Sequence, residues 1–590
     1  MNKLTIAALA VLALLGACGG GGQSQGAASG GGGVIGNNTS IPTISTLTIT
    51  GRAANTIALS GATVDYVCAA GTASVSTGTD GSYKATVADG KWPCIGELTS
   101  AGTTPLHTAA NGGAGNSATA QITPLTELVV AKLAGTDTKT FFSNFKALPF
   151  ANKSLVAADS KVQSAQTAVK TVLAAAGIST LGTVDLLVDA LQVNTASDAH
   201  GAGLQSFNTK LAGAGTTLGA LASSLVATPP PGAGTEIQQV ATAQLLQPAA
   251  VNCPGLRGGI YRYINFVGTD KVYVDAEKLT VTNSKNYVTY LKPVDGDACH
   301  FKGYDSSAFA SASPSDLVVS QAGIVLIRGW NDLFSNYALA IAFPEQTGFT
   351  LADVAGDWNA LSMEADIAQT YVGALEQSTI GSDGVAISVR FCQDPSWDVS
   401  SCKVLSGTEL QNQYPRLSIN KDDNGFYLTG PGKSTPGGRL FAYRSGTGDL
   451  FAVNFWTDGS FGIAARQRTL AAPTVGSGTN SWNLQISNAL VAADISSGTT
   501  TIVSVADAKA ASTSYLRTNQ TTGLADLHSE TLTNNMPYSG FRQRAAGKDT
   551  SVTPNQSFSR LDQLPLQGMG ITISLNETNK RFQVSVQKPN

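Results

Sequence analysis

The sequence has little charge for its length and few histidines. Charged residues make up 13% of its 590 residues, with 37 Lys and Arg against 40 Asp and Glu, and there are 4 histidines. A chain with no excess of basic residues lacks the positive field that attracts nucleic acid, so we expect no nucleic-acid partner. Beyond residue 20, no apolar run reaches the roughly 18 residues that a membrane-spanning helix needs.

Motifs that carry chemistry are also scarce. There is no CxxC pair and no His-Glu-x-x-His pattern, so we expect no metal site and no cofactor. The one Gly-x-Ser-x-Gly match, at residues 22–26, lies in a glycine-rich stretch that does not suit a nucleophile elbow. Asp357, Glu364 and Asp366 are the enzymatic candidates, because paired carboxylates serve as acid and base in glycosidases. A solvated strand face explains the same three residues.

The chain opens on a short apolar segment that ends in small residues and a cysteine. Lys3 precedes the apolar residues 6–15, and Leu15-Gly16-Ala17-Cys18 closes the segment. This pattern resembles the lipobox of bacterial lipoproteins, in which the cysteine is acylated, for example with palmitate, and becomes the mature N-terminus. The resemblance implies a signal peptide over residues 1–18 and a lipid on Cys18. The alternative is an ordinary secretory signal with an incidental cysteine.

A lipid on Cys18 implies a location at the cell envelope of a Gram-negative bacterium, with the membrane as a partner. The next residue is Gly19 and not Asp, which by resemblance to enterobacterial sorting rules favours the outer membrane. Residues 19–43 are rich in glycine and have few side chains to bury, so we expect a flexible tether. The tether does not decide between the periplasmic and the surface face.

Six cysteines remain when Cys18 is set aside. An even number of cysteines in an oxidising compartment is expected to form disulfides. A metal site is the competing hypothesis, but only Cys299 and His300 are adjacent, and neighbouring strand residues point to opposite faces. Proximity along the chain favours the pairs Cys68–Cys94, Cys253–Cys299 and Cys392–Cys402.

Residues 44–122 have the pattern of a small β-sandwich. Residues 46–50 alternate between polar and apolar, as a half-buried strand does, and an Asp-Gly turn at Asp80-Gly81 precedes a strand from Tyr83. Residues 61–64 (Gly-Ala-Thr-Val) and 79–83 (Thr-Asp-Gly-Ser-Tyr) together resemble the carboxypeptidase regulatory-like, prealbumin-type domain. That resemblance implies a stalk or interaction module without a catalytic role.

Residues 123–227 have the composition and periodicity of a helical domain. Thr123 is a suitable N-cap, Pro124 suits the first helical position, and the apolar residues that follow recur at helical spacing. A Pro-rich linker and a short helix, Glu236 to Leu246, occupy residues 228–250. Further helices are expected near Leu155–Ala176, Val184–Leu191, Gly203–Leu211 and Thr217–Val226.

Residues 251–590 alternate between polar and apolar in many short segments joined by tight turns. Sequential strands with short turns form antiparallel meanders, which close into barrels or stack into sandwiches. We divide this part into β domains at 251–346, 347–470 and 471–590. The predicted fold class is therefore multidomain and mainly β, with an N-terminal β-sandwich, a central α-helical segment and C-terminal antiparallel meanders or barrels.

Two of these β domains open on similar residues, Gly259-Ile260-Tyr261 and Gly356-Asp357-Trp358. The Gly-x-Trp start, together with Arg466 on the last strand of its domain, resembles lipocalin-type barrels. The resemblance implies that Arg466 closes over the ring of Trp358 at the barrel bottom, where both could contact a ligand. A generic meander with a core tryptophan is the competing interpretation. Four other aromatics could stack on a ligand or fill the core: Trp397, Tyr414, Phe426 and Trp456.

The leading functional hypothesis is an outer-membrane-anchored lipoprotein that binds or organises envelope components without catalysis. A carbohydrate or a small apolar molecule is the expected ligand. A deep apolar cavity in a closed barrel would favour a carrier of small molecules. The alternative is a hydrolase that acts on polysaccharide or another envelope polymer, with its site in residues 253–470. Whether the chain is an enzyme stays open at this point.

Overall fold

The computed structural model describes the chain from residue 46 to residue 589 with internal gaps. It contains a β-sandwich, a helical segment and three antiparallel meanders, which confirms the predicted multidomain, mainly β fold class. The described residues are 46–100, 104–193, 198–227, 236–266, 268–310, 314–331, 335–365, 371–393, 402–421, 423–506, 512–521, 528–549, 556–576 and 581–589.

The first seven strands form a sandwich of two sheets. They are β1 (Leu47–Arg52), β2 (Thr63–Ala70), β3 (Thr72–Ser76), β4 (Ser82–Val87), β5 (Lys91–Thr99), β6 (Leu106–Ala110) and β7 (Ser117–Thr119). One sheet has the order β4-β1-β7 and the other β3-β2-β5-β6. Alternate residues such as Ile49 and Val64 point into a shared apolar core, as the period of two in their strands predicts.

Seven α-helices follow in the described residues up to 244. They are α1 (Pro124–Ala134), α2 (Thr138–Ala147), α3 (Phe150–Val156), α4 (Asp159–Ala175), α5 (Ala199–Gly213), α6 (Leu218–Val226) and α7 (Glu236–Gln244), with a 3-10 turn at Ser179–Leu181 between α4 and α5. Helix α1 begins as predicted, with the Thr123 hydroxyl accepting the N–H of Thr126 and Pro124 in the first position. None of the helices in the described part of the chain has the length and apolarity that crossing a membrane requires.

The prediction of a helix near Val184–Leu191 is wrong, because these residues form turns. The Asp185 carboxylate accepts the backbone N–H groups of Leu187 and Val188 at 3.0 and 3.2 Å. An Asp side chain that binds nearby N–H groups offers the backbone an alternative to the helix. Val188 is exposed, but the other apolar residues of this segment are buried and contribute to the helical core without a helix of their own: Val184, Leu186, Leu187 and Leu191.

The short pair β8 (Ala249–Ala250) and β9 (Cys253–Arg257) leads into a closed meander of eight strands, which we call the first barrel. Every neighbouring pair is antiparallel, and β10 returns to β17 to close the sheet. The strands are β10 (Gly259–Asn265), β11 (Gly268–Asp275), β12 (Thr280–Thr282), β13 (Val288–Pro293), β14 (His300–Tyr304), β15 (Ser315–Val319), β16 (Val325–Asn331) and β17 (Asn336–Pro344).

A second meander, the second barrel, begins with helix α8 (Leu351–Val354) and has nine strands. They are β18 (Gly356–Ala365), β19 (Tyr371–Ile380), β20 (Ala386–Gln393), β21 (Lys403–Leu405), β22 (Arg416–Asn420), β23 (Gly425–Thr429), β24 (Gly438–Arg444), β25 (Leu450–Trp456) and β26 (Phe461–Arg466), with α9 (Gly407–Gln413) before β22. The edge strands β21 and β22 do not pair with each other, but both contribute to one interior core. The N–H of Leu417 on β22 donates to the carbonyl of Gly384, in the turn between β19 and β20.

The third barrel is a closed meander in the order β27-β28-β29-β30-β31-β34-β35-β36, with β32 and β33 as a separate hairpin. Its strands and the hairpin are β27 (Gly478–Ile486), β28 (Ser496–Val505), β29 (Thr513–Thr521), β30 (His528–Asn534), β31 (Arg542–Arg544), β32 (Gly547–Asp549), β33 (Gln556–Phe558), β34 (Leu561–Leu566), β35 (Ile571–Asn576) and β36 (Arg581–Gln587).

The three barrels pack against one another through their outer faces. The ring centres of Phe343 in the first barrel and Tyr443 in the second are 5.7 Å apart. Phe461 of the second lies 5.0 Å from Phe582 of the third. The outward-facing apolar residues of all three share one core, so sheet faces that an isolated barrel would expose to water are buried here.

Three disulfides are present, which confirms the prediction that the cysteines form structural cross-links. Cys68–Cys94 joins the neighbouring strands β2 and β5 of the sandwich. Cys253–Cys299 ties β9 to the residue before β14, and Cys392–Cys402 ties β20 to the residue before β21. These are the pairs that proximity along the sequence favours, and each one holds two segments of the same domain together.

Candidate functional site

A cavity of about 700 Å³ occupies the inside of the first barrel. Its volume is in the range of about 300–1,000 Å³ that small-molecule sites occupy. Most of its wall is apolar or aromatic, and the cavity opens at one end of the barrel. The apolar wall includes Val272, Val274, Leu291, Phe301, Leu317, Val319, Val325, Ile327 and Ala342.

The far end of this cavity is closed beneath Tyr261. Its hydroxyl accepts the backbone N–H of Arg257 at 3.1 Å, and burial raises the pKa of Tyr261 to about 12, so the phenol stays neutral. The Arg257 guanidinium donates to the carbonyls of Ala214 and Leu245 at 2.9 and 2.8 Å. These bonds fix the closed end of the barrel to the helical segment.

Aromatic side chains surround the open end. Tyr287 is 71% exposed and Trp330 is 48% exposed, although both line the cavity. Trp330 meets Tyr337 edge to face, with 5.4 Å between ring centres, and the guanidinium of Arg328 lies 3.5 Å from the centre of the Tyr337 ring. An aromatic rim offers a ligand apolar contact at little cost in side-chain entropy.

A smaller cavity, of about 320 Å³, lies inside the second barrel. Its wall is also mostly apolar, but two carboxylates, Glu364 on β18 and Glu376 on β19, face it. Tyr414 and Trp456, which are two of the aromatics singled out in the sequence, line it as well. Glu364, Tyr414 and Trp456, which the sequence analysis named separately, therefore line the same cavity.

The resemblance to lipocalin-type barrels implied a contact between Arg466 and Trp358, and that contact is present. The Arg466 guanidinium lies 4.8 Å from the centre of the Trp358 indole. The indole N–H donates to the carbonyl of Val354 at 2.8 Å, and Arg466 donates to the carbonyl of Asp353 at 3.0 Å. Trp358 lines the cavity from this end, and Arg466 lies outside the cavity lining. Their role in binding a ligand stays a prediction.

Glycine is required where this barrel begins. Gly356 has a φ of 115°, in the region that side chains rarely adopt, and a Cβ there would lie 2.4 Å from an Arg466 nitrogen. Gly259 has a φ of 129° at the same point of the first barrel. Both glycines stand two residues before the aromatic side chain that closes the barrel, Tyr261 or Trp358. The two barrels thus share the local geometry that their similar opening residues suggested.

Two of the three carboxylates proposed from the sequence, Asp357 and Glu364, do not come together. Asp357 and Glu364 differ by an odd number of positions on β18 and so point to opposite faces of the sheet. Asp357 accepts the hydroxyl of Thr379 at 2.6 Å on an exposed face, whereas Glu364 faces the cavity. Asp366 lies outside the described residues. The hydrolase alternative stays a prediction.

Glu376 is a cavity residue that the sequence analysis did not identify. It pairs across strands with Ala360, and the next inward residue, Ser378, pairs with Trp358. Residues that pair across two strands lie on the same face of the sheet. The pairing of β19 with β18 therefore puts Glu376 in the interior, on the same face as Trp358. Residues 371–380 mix polar and apolar side chains on both faces of the strand, so periodicity alone did not indicate this position.

Buried paired charges lie inside the third barrel. Arg517 and Glu530 are cross-strand partners, with 2.6 Å between nitrogen and oxygen, and Arg544 approaches the other oxygen of Glu530 at 2.6 Å. Burial alone would raise the pKa of Glu530. The charges and hydrogen bonds of Arg517 and Arg544 outweigh burial and hold that pKa below its usual value.

Several sequence-predicted residues have other positions. Phe426 is 1% exposed and belongs to the interior core of the second barrel. Trp397, Cys18 and the tether lie outside the described residues. Within the described ranges, no group of three or more His, Cys, Asp or Glu side chains is arranged to hold a metal ion. In comparisons with known proteins, no family model matches this chain, and no curated protein is significantly similar to it.

Proposed function

We propose that this protein is an envelope lipoprotein that binds a small apolar molecule inside its first barrel. The observation that carries the proposal is the cavity of about 700 Å³, which has a closed end at Tyr261 and an aromatic mouth. Most side chains of its wall are apolar or aromatic, with polar ones such as Asp270 and Asn283 among them. Burial of an apolar ligand in such a cavity is favourable by about 25 cal/mol for each Å² removed from water. The apolar part of the wall therefore favours the binding of an apolar ligand.

The location at the envelope is supported by the sequence and by the cross-links. Leu15-Gly16-Ala17-Cys18 suits acylation, and a lipid would hold the body near a bilayer through the glycine-rich segment. Disulfides form and persist in oxidising compartments such as the periplasm and the cell surface. The three cross-links in the described chain are consistent with export.

Binding can be tested with a neutral fluorescent probe, N-phenyl-1-naphthylamine, added to the full chain. Ala342 is buried and lines the cavity, so Ala342→Trp places an indole where the ligand would lie. We expect the probe to bind the unchanged protein and to lose affinity about tenfold or more in this variant. Ile387→Trp, on an exposed face of the second barrel, is the matched control and should bind normally.

Ile327→Trp fills the same cavity nearer its middle and replaces Ala342→Trp if that variant does not fold. Equal probe affinity in the unchanged protein and in a folded cavity-filling variant would contradict the proposal. The anchor has a separate test, because Cys18→Ala should abolish palmitate labelling and release the folded body from membranes. A variant that remains attached to membranes would refute lipid anchoring at Cys18.

A further inference from the structure

The cavity of the second barrel combines apolar walls with two carboxylates that have no cationic partner. Glu364 and Glu376 face a space of about 320 Å³ whose wall includes Trp358, Phe391, Leu440 and Trp456. Among the ion pairs of the described residues, none includes either glutamate. The nearest lysine in the wall, Lys403, pairs with Glu409 at 2.8 Å. The lysine of the wall is therefore already paired with a carboxylate that does not line the cavity, and the ion pairs of the described residues leave Glu364 and Glu376 without a cation.

Hydroxyl groups are the hydrogen-bond partners of both carboxylates. The Ser362 hydroxyl donates to Glu364 at 2.7 Å, and the Tyr414 hydroxyl donates to Glu376 at 2.5 Å. Hydroxyl donors orient a carboxylate but do not balance its charge. Burial raises the pKa of Glu376 to about 7, and burial together with the nearby Asp458 raises the pKa of Glu364. Both shifts have the direction expected for carboxyl groups without a countercharge.

A ligand that carries a positive charge on an apolar body would satisfy each part of this wall. Its charge would pair with the carboxylates, whose desolvation cost is otherwise uncompensated. Aromatic rings such as Trp456 and Tyr414 attract cations through their faces. The aliphatic and aromatic remainder of the wall would contact the body of the ligand. A neutral apolar ligand would leave the two carboxylates without a partner.

We propose that the second barrel binds a small organic cation, an amine or quaternary ammonium with an apolar body, with its charge beside Glu364 and Glu376. This site lies in a different barrel from the apolar cavity and does not rest on the function proposed for that cavity. A calcium ion fits the wall less well, because it takes about six to eight oxygen ligands and the wall offers two carboxylates and a few hydroxyls.

The proposal predicts that binding depends on pH. The charged and titratable groups around Glu376 are Glu364, Tyr414, Lys403, Asp458 and, at the closed end, Arg466. A cation requires Glu376 in its ionised form, so affinity should fall up to about tenfold for each pH unit below 7 and level off above it. A permanently charged ligand has no titration of its own, so any pH dependence would come from the protein.

The test uses benzyltrimethylammonium and its uncharged carbon isostere, neopentylbenzene, with the full chain in a titration calorimeter. Measurements about 1.5 pH units below and above the pKa of Glu376 separate its two forms. We expect the ammonium to bind more tightly at the higher pH and the isostere to compete weakly. Glu376→Gln should weaken ammonium binding about tenfold or more and flatten the pH dependence. Asp357→Asn, on the opposite face of β18, is the matched control and should bind normally.

Three results would overturn the proposal: no ammonium binding at millimolar concentration, equal competition by the isostere, or unchanged affinity in folded Glu376→Gln. If Glu376→Gln does not fold, Glu364→Gln provides the same comparison, and the pH profile of the unchanged protein remains decisive. Ala342→Trp in the first barrel should leave ammonium binding intact. Failure of one site is therefore distinguishable from failure of the other.

Discussion

Arg466 lies over the indole ring of Trp358, with its guanidinium 4.8 Å from the ring centre, at the closed end of the second barrel. The contact joins the first and last strands of the barrel, which are paired at these same two residues. Burial, and then the charge of the nearby Arg444, lowers the pKa of Arg466 to about 10. The cation is thus held in place by a ring and a backbone carbonyl, and no carboxylate lies within bonding distance of it in the described residues.

We predict that Trp358→Phe destabilises the second barrel by about 1–3 kcal/mol. Phenylalanine keeps an apolar ring but loses the indole N–H, so the Val354 carbonyl loses its donor and the guanidinium contacts a smaller face. Denaturant unfolding followed by near-ultraviolet circular dichroism measures the change. Trp456→Phe, where the ring lines the cavity away from Arg466, should cost less. Equal costs for the two variants would contradict the prediction.

The parts of the fold that depend on neighbouring residues could be predicted from the sequence. The cap at Thr123 and the alternation of the strands depend on residue types a few positions apart. The three disulfides join cysteines that follow one another in the order of the chain. Val184–Leu191 was predicted wrongly because composition favoured a helix while the Asp185 side chain favours a turn. Local patterns are thus reliable only where no side chain competes with the backbone.

The candidate sites depended on contacts between distant residues. The register of β19 on β18 places Glu376 in the cavity. Arg262 of the first barrel bonds to Asp423 of the second. Sequence periodicity determines neither contact. The cavities themselves depend on whether inward side chains are small or paired. The third barrel gives an example of paired inward side chains, because Arg517 and Glu530 are buried cross-strand partners that pair with each other.

The interface between the first and second barrels depends on Arg262. Its guanidinium, 2% exposed, binds Glu345 at 2.6 Å and Asp423 at 2.7 Å and lies 4.5 Å from the centre of the Phe441 ring. Without Arg262, Glu345 still pairs with Lys271 at 3.1 Å, and Asp423 still pairs with Arg439 at 2.8 Å. Neither carboxylate is left without a cation, so Arg262→Ala should cost about 1–3 kcal/mol through the lost hydrogen bonds. Thermal unfolding measured by calorimetry should show the two barrels melting at separate temperatures.

An exposed arginine of the second barrel is the control for this variant. Arg416→Ala removes the same atoms from the surface and should change stability by about 0.5 kcal/mol or less. If the Arg262→Ala variant unfolds at the same temperature as the Arg416→Ala variant, the interface does not depend on the buried ion pairs.

The disulfides should differ in the stability that they add. In the chain-entropy description, a cross-link that closes a longer loop restricts the unfolded chain more. The loops close over 46, 26 and 10 residues for Cys253–Cys299, Cys68–Cys94 and Cys392–Cys402. Paired alanine substitutions should therefore cost about 4, about 3.5 and about 2.7 kcal/mol in that order.

Unfolding midpoints in denaturant, compared among the three double variants, test that order. Alanine is preferred to serine because Cys253, Cys68 and Cys94 are fully buried and a hydroxyl there would lack a partner. A reversed order, with the shortest loop contributing most, would contradict the loop-length argument.

His107 should make the junction of the sandwich and the helices sensitive to pH. Its ring lies between Glu127, at 2.8 Å, and Glu97, at 3.2 Å. Burial alone would lower the pKa of His107, but hydrogen bonds and charge attraction from Glu127 and Glu97 outweigh burial and raise that pKa above 6.5. A histidine with a higher pKa in the folded chain adds stability below about pH 6.5 and loses that contribution as pH rises through the folded-state pKa.

The free energy of unfolding of this region should therefore fall as pH rises above about 6.5, and His107→Gln should reduce the fall. Glutamine can still donate to Glu127, so the variant keeps a hydrogen bond while it removes the titrating group. Hydrogen exchange of the α1 and β6 amides at several pH values measures the effect locally, in the native protein. His200, which is buried but has its pKa lowered by burial, provides the opposite case, and His200→Gln should leave the pH profile of α1 unchanged. A profile that His107→Gln does not alter would assign the pH sensitivity to other groups.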